Sequence, residues 1–168
     1  MGEQQQEGQQ EIHVGMADLK VARAPAVLLS LGIGSCVGII LYDAVTKIGG
    51  LAHIMLPDIN IVKNRVNRAK FANTAVPDMV EEMEKLGAQR KTMKARIMGG
   101  AHMFGFVKHD SILNIGERNI EQVKRTLEEL RLRLVAEDIG GSYGRSVYVY
   151  LDTGTVKVRS VAHGEKLL

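Results

Sequence analysis

Short apolar runs separated by turn residues make up most of this chain, and only two stretches carry apolar side chains at helical spacing. Residues 12–21 are weakly strand-like. Pro25 then interrupts the chain, and residues 26–31 (AVLLSL) read as a short apolar strand. Residues 36–42 (CVGIILY) and 47–56 (KIGGLAHIML) read as two strands joined through Asp43 to Thr46, the second ended by Pro57. A further strand spans residues 93–98. Strands at 133–139, 146–151 and 155–161 close the chain, the last two joined by Asp152-Thr153-Gly154.

Helical spacing places Phe71, Ala75, Met79, Met83 and Leu86 on one face of residues 67–86, with Gly87 as the C-terminal stop. Pro77 inside that pattern predicts a kink or two abutting helices. In the second helix Ile120, Val123, Leu127, Leu130 and Leu134 recur at steps of three and four, and Asn114 is the candidate cap with Glu117 three residues on. Hairpins together with two helices indicate an α+β layered sheet rather than a βαβ winding.

A chain of 168 residues fits one domain, large enough to bury about two-thirds of its unfolded surface without staples. Residues 1–11, polar and rich in Gln and Glu, read as a disordered tail, and residues 12–168 as a single domain. Neither a signal-peptide pattern nor an apolar run long enough to span a bilayer occurs. One cysteine cannot form an internal disulfide, so a cytoplasmic protein without membrane insertion is expected.

The net charge is +3, with basic residues gathered at Lys63, Arg65, Arg68 and Lys70 and again over residues 85–96. Four tyrosines, three phenylalanines and no tryptophan leave little for bases to stack on, so nucleic acid is not expected as a partner. Gly32, Gly34 and Gly38 lack the dinucleotide spacing, and a strand rather than a helix follows them. Five scattered histidines give no metal-ligand spacing. Neither cofactor nor metal is expected.

The candidate chemistry comes from hairpin register. A turn at Asp43-Ala44-Val45-Thr46 that sets Tyr42 opposite Lys47 also sets Cys36 opposite His53, with Cβ atoms roughly 5 Å apart. The same register pairs Val37 with Ala52, Ile39 with Gly50 and Leu41 with Ile48, one coherent apolar face. Ala44-Val45 is a poor two-residue loop, and a bulge at Gly49-Gly50 would shift the pairing by one.

An imidazole beside a thiol takes its proton and stabilises the thiolate, which makes Cys36 a nucleophile and His53 its general base. Gly32-Ile33-Gly34-Ser35 brings backbone N–H groups to the thiol, and Ser30 is placed to orient the imidazole. Spacing alone fits a buried inert cysteine beside a satisfied histidine equally well.

Residues 31–57 (LGIGSCVGIILYDAVTKIGGLAHIMLP), 98–104 (MGGAHMF), 114–119 (NIGERN) and 136–147 (AEDIGGSYGRSV) together resemble CheD, the chemoreceptor glutamine deamidase family. The resemblance covers nearly the whole chain after residue 12. It implies catalytic Cys36, His53 and Ser30, with serine at Ser30 where the family commonly has threonine. It also implies a layered α/β/α sandwich with mixed, largely antiparallel sheets, similar to the catalytic domain of the cytotoxic necrotizing factor toxins.

The implied reaction is cofactor-free hydrolysis of glutamine to glutamate on the cytoplasmic helices of methyl-accepting chemoreceptors. A CheC-type phosphatase is the implied second partner. Gly34, Ser35, Gly99, Gly100 and Phe104 are candidates for an oxyanion hole or substrate rim, and His102 for the rim. Asp138 and Arg145 are candidates for a structural ion pair. A non-catalytic adaptor that binds CheC and receptor, and a thiol protease or transglutaminase, share these features.

Overall fold

The computed structural model describes residues 9–103 and 114–168. Its elements in chain order are β1 (Gln10–His13), β2 (Asp18–Arg23), β3 (Ala26–Ile33), β4 (Val37–Asp43), β5 (Ile48–Ile54), α1 (Ala72–Lys85) and β6 (Met93–Gly99), followed by α2 (Ile115–Glu129), β7 (Arg133–Ile139), β8 (Arg145–Tyr150), β9 (Thr155–Ser160) and β10 (Gly164–Leu167). The strands form two five-stranded sheets, an outer one ordered β1-β3-β8-β9-β10 and a central one ordered β2-β5-β4-β6-β7. β1–β3 and β6–β7 pair in parallel and the other neighbours antiparallel, so the expected α+β layered sandwich with mixed, largely antiparallel sheets is what forms.

The central sheet is covered on both faces, and β4 and β5 are buried at every position. That burial explains their continuous apolar runs, since alternation is required only where one face is wet. On one face Val37, Ile39, Leu41, Ala52 and Ile54 pack against Ala75, Met79 and Met83 of α1 and Val123 and Leu127 of α2. On the other, Ile40, Leu51 and Met98 meet Leu28, Ile33, Val147 and Val149 of the outer sheet.

Gly49 and Gly50 serve this packing. A Cβ at Gly50 would lie 2.7 Å from Met79, and one at Gly49 would lie 2.5 Å from Leu151. The layers run helices, central sheet, outer sheet, instead of the α/β/α order. The reason is chemical: β9 turns Lys157 and Arg159 outward over the Tyr150 and Tyr148 rings, which leaves the outer sheet no apolar face for a second helical layer.

Several boundaries differ from the reading of the sequence. Residues 12–21 divide between β1 and β2, which belong to different sheets, and the β10 edge strand was not foreseen. Gln10 and Glu11, assigned above to the polar tail, begin β1. Residues 67–86 form a 3-10 turn (Arg68–Lys70) and one α-helix that contains Pro77. The break falls at Phe71, which is extended, buried and bridged to Leu56. Asn114 holds the N-cap position of α2 without a side-chain capping bond.

The β4–β5 hairpin corrects the expected register. Asp43 pairs with Ile48 and Gly38 with His53, a two-residue shift that places Cys36 beyond the paired region. The cause is the turn. Asp43 is fully buried, and its carboxylate accepts hydrogen bonds from Val45 N (3.0 Å), Thr46 Oγ1 (2.9 Å) and Gln89 N (3.1 Å). Those bonds, with Lys47 at φ 54°, close a longer loop than the tight turn assumed. An even shift preserves faces, so the apolar face remains coherent and Cys36 stays on the His53 side. No helix among the described residues is long and apolar enough to cross a membrane.

Candidate active site

The chain crosses from the outer sheet to the central sheet between β3 and β4, and the candidate chemistry sits at that crossing. Ser30 still pairs with Val147, but the ladder shifts before Ile33 meets Arg145. Gly32, at φ 68°, turns the backbone through a conformation that L side chains rarely adopt. Gly34-Ser35-Cys36 then bridges to Val37. All three carbonyls of this bridge are held from within the protein. Gly34 O accepts from Ala101 N at 2.9 Å, Ser35 O from Asn119 Nδ2 at 3.1 Å, and Cys36 O from Gly100 N at 2.7 Å.

A trans peptide carries its C=O and N–H on opposite sides. The N–H groups of Ser35 and Cys36 are therefore turned away from the inner donors. Burial pushes the Cys36 thiol above its ordinary pKa, and its own backbone N–H partly offsets that rise.

His53 is buried between the sheets, and its Nδ1 lies 2.8 Å from Ser30 Oγ. The tautomer follows from counting hydrogens. Ser30 Oγ has a single hydrogen, and it donates to Val14 O at 2.6 Å. Ser30 must therefore accept from His53 Nδ1–H, which leaves Nε2 with a lone pair. Nε2 is buried and has no partner among the described residues. Burial lowers the His53 pKa, so imidazole and thiol both rest neutral rather than as an ion pair. The His53 backbone is held by strand pairing, and His53 O accepts from Ala17 N at 2.8 Å.

The glycines named from the sequence divide by role. A Cβ on Gly99 would sit 2.5 Å from Cys36 O, and one on Gly100 would sit 2.3 Å from Ile120. Both thus permit close packing behind the Gly34–Cys36 bridge, and the Gly100 N–H is already committed to Cys36 O. Gly140 and Gly141 take positive φ in a turn. Phe104 lies outside the described residues.

Met103 lies beside Gly34 and is half exposed, as are Leu31, next to Ser30, and Met16, next to Ala17. His102 donates its backbone N–H to Gly141 O. Asp138 and Arg145 do form a buried ion pair, at 3.1 Å. Among the described residues no three His, Cys, Asp or Glu side chains are grouped to hold a metal ion.

Asn119 was missed. It is fully buried on the core-facing stripe of α2, and Nδ2 donates to Ser35 O and to Met55 O at 2.9 Å. The available signal was a polar residue three positions from Gly116 and four from Val123, on the buried arc of an amphipathic helix.

Comparison with known proteins agrees with the motifs. The family described as "CheD chemotactic sensory transduction" matches residues 55–160, a span that includes Asn119, Asp138 and Arg145 and starts after His53. A protein of Moorella thermoacetica named "Probable chemoreceptor glutamine deamidase CheD" is 49% identical over 160 residues, covering 95% of this chain and 96% of the relative. The "Chemoreceptor glutamine deamidase CheD" of Halalkalibacterium halodurans is 46% identical over 156 residues, 92% of this chain and 96% of the relative. A Clostridium novyi relative, "Probable chemoreceptor glutamine deamidase CheD", is 47% identical over 154 residues, 92% of this chain and 95% of its own.

Proposed function

The chain belongs to the CheD family, and from that membership we propose that it is a chemoreceptor glutamine deamidase with Cys36 as nucleophile, His53 as base and Ser30 as the group that orients His53. One observation carries the assignment of roles. The Ser30 hydrogen bond to Val14 O fixes the His53 tautomer and leaves Nε2 as a buried acceptor on the Cys36 side of the sheet.

The reaction begins when a receptor glutamine enters. His53 Nε2 takes the Cys36 proton, and the thiolate adds to the amide carbon. The oxyanion is held by the N–H groups of Cys36 and Ser35. Protonated His53 then gives its proton to the nitrogen as the C–N bond breaks, releasing ammonia and leaving a γ-glutamyl thioester. Water attacks that thioester while His53 takes its proton. The C–S bond breaks, the sulfur recovers a proton, and glutamate is released. The net change consumes one water per amide and needs no cofactor.

Serine in place of the family's usual threonine keeps the hydroxyl this scheme uses, because only Oγ touches His53. Half-exposed Met16, Leu31 and Met103 give the crossing an apolar rim suited to a face of a receptor's helical bundle. Arg68, Lys85 and Arg90 pair with Asp78, Glu81 and Glu84. Lys63, Arg65 and Lys70, without ion-pair partners among the described residues, are left to steer an acidic receptor. A cytoplasmic location, action by residues 12–168 as one domain, and binding of a CheC-type phosphatase complete the proposal.

Mass spectrometry of a receptor cytoplasmic fragment tests it. The wild-type chain is expected to convert glutamine to glutamate without backbone cleavage or crosslinking, and Cys36→Ala to lower the rate by at least about 10³-fold while keeping its circular dichroism. Full activity in Cys36→Ala would overturn the mechanism, and cleavage or crosslinks would point to a protease or transglutaminase.

A further inference from the structure

Asn119 has a job that the thiol, its base and the orienting serine do not cover. Both Nδ2 hydrogens are committed, one to Ser35 O and one to Met55 O. Because both acceptors are carbonyls, the amide can face them only with its nitrogen. The two ends differ in how firmly they are held. Met55 follows directly on the β4–β5 ladder, and its N–H donates to Lys70 O at 2.9 Å. Ser35 lies in the irregular bridge after Gly32 and Gly34, and its carbonyl is held by the Asn119 side chain, while its neighbours Gly34 O and Cys36 O are held by the backbone amides of Ala101 and Gly100.

We infer that Asn119 is a positioning residue that anchors to Met55 and fixes the Ser35–Cys36 peptide so that the Cys36 N–H faces the developing oxyanion. The inference rests on the deamidase reading. The C=O of Ser35 and the N–H of Cys36 belong to one rigid plane, so holding the first aims the second. Without Asn119, that part-buried carbonyl turns toward water or another donor, and the N–H rotates with it. The thiol and His53 are held by other contacts and stay where they are.

That separation makes the role measurable. Iodoacetamide alkylates a thiolate by forming S–C as C–I breaks and iodide leaves, so it needs the thiol and its surroundings but no oxyanion donor. Deamidation of a receptor fragment needs both. In Asn119→Leu, similar in volume and without the amide, kcat is expected to fall about 100-fold with KM within about threefold, as for loss of one oxyanion donor. The limiting rate of Cys36 alkylation at high pH is expected to match wild type, while its pH midpoint moves upward as the Cys36 N–H turns away from the sulfur.

Unchanged kcat, or alkylation that falls in parallel with kcat, would overturn the role. Should Asn119→Leu fail to fold by circular dichroism, Asn119→Ser, which removes bulk and keeps a polar group, is read by the same two assays and the same criteria. Wild-type chain that is alkylated at Cys36 yet releases no ammonia from the receptor fragment would overturn the deamidase reading, and the positioning role with it. Wild-type activity that persists in both Asn119 variants would overturn the positioning role alone.

Discussion

Two buried polar groups share the central sheet and behave in opposite ways. At the sheet crossing, His53 and Cys36 are shifted by burial toward their neutral forms, and His53 Nε2 has no partner among the described residues. At the other cluster, Arg145 binds Asp138 at 3.1 Å, Gly140 O at 2.8 Å and the face of Tyr143, and Lys166 adds a second bond to Asp138 at 2.9 Å. Burial alone would raise the Asp138 pKa, but the bonds from Lys166 and Arg145 outweigh it and hold the carboxyl below its ordinary range. Satisfied bonds keep charges fixed. An unsatisfied lone pair on the same side of the sheet as a neutral thiol leaves a proton acceptor free, the difference on which the proposed chemistry draws.

The largest effect expected from breaking this contrast is at His53. His53→Gln should lower kcat by roughly 10²–10⁴-fold, the usual contribution of a general base, while thermal stability at neutral pH stays near wild type. The wild-type pH profile sharpens the point. His53 must be neutral to accept the thiol proton, and its pKa is lowered by burial, so the acid limb of kcat/KM should fall below the ordinary histidine range. An acid limb at or above that range would sink the assignment.

Next in size is the strut. Arg145 is almost fully buried, and Arg145→Met leaves Asp138 with only the half-exposed Lys166. Breaking a buried pair from one side costs about 3–5 kcal/mol, to be read as a drop in the denaturation midpoint. Activity should fall too, though less than in His53→Gln. Arg145 holds Gly140 O, Gly140 N bonds Gly99 O, and the adjoining Gly100 N supports Cys36 O. A midpoint equal to wild type would show that the cluster carries no structural weight.

How much of this was legible beforehand depends on how far each contact reaches along the chain. β6, β7 and β9 were readable almost to the residue, because apolar blocks and turn residues are local signals. Cys36 and His53 were brought to one face by parity, which survived a two-residue register error because an even shift keeps faces. The register itself was not readable, since Asp43 closes its turn partly through Gln89, far off in sequence. Ser30 was named, but the proton count that fixes the tautomer needs Val14, which comes from the segment between strands of different sheets. The burial of Asn119 could be read from its place on the apolar arc of α2, but its role could not: its partners, Ser35 and Met55, are more than 60 positions away.

The smallest effect separates the members of the strut. Lys166 comes from edge strand β10, and its side chain is 55% exposed, against 1% for Arg145. Solvent screens its pairing with Asp138, so Lys166→Ala should cost less than about 1 kcal/mol near neutral pH. The pH dependence shows where the remainder lies. Asp138 has a lowered pKa, so its contribution is complete above the ordinary carboxylate range and is lost as pH falls through its folded value. His53 also has a lowered pKa, but its window opens higher, as pH falls below the ordinary histidine range. Wild-type stability should therefore decline in two separate steps on acidification. Lys166→Ala should shrink only the lower step and His53→Gln should remove only the upper one, both followed by denaturant midpoint against pH. A Lys166→Ala chain whose upper step changes instead would mean that the two buried groups, three strands apart in the central sheet, do not titrate independently.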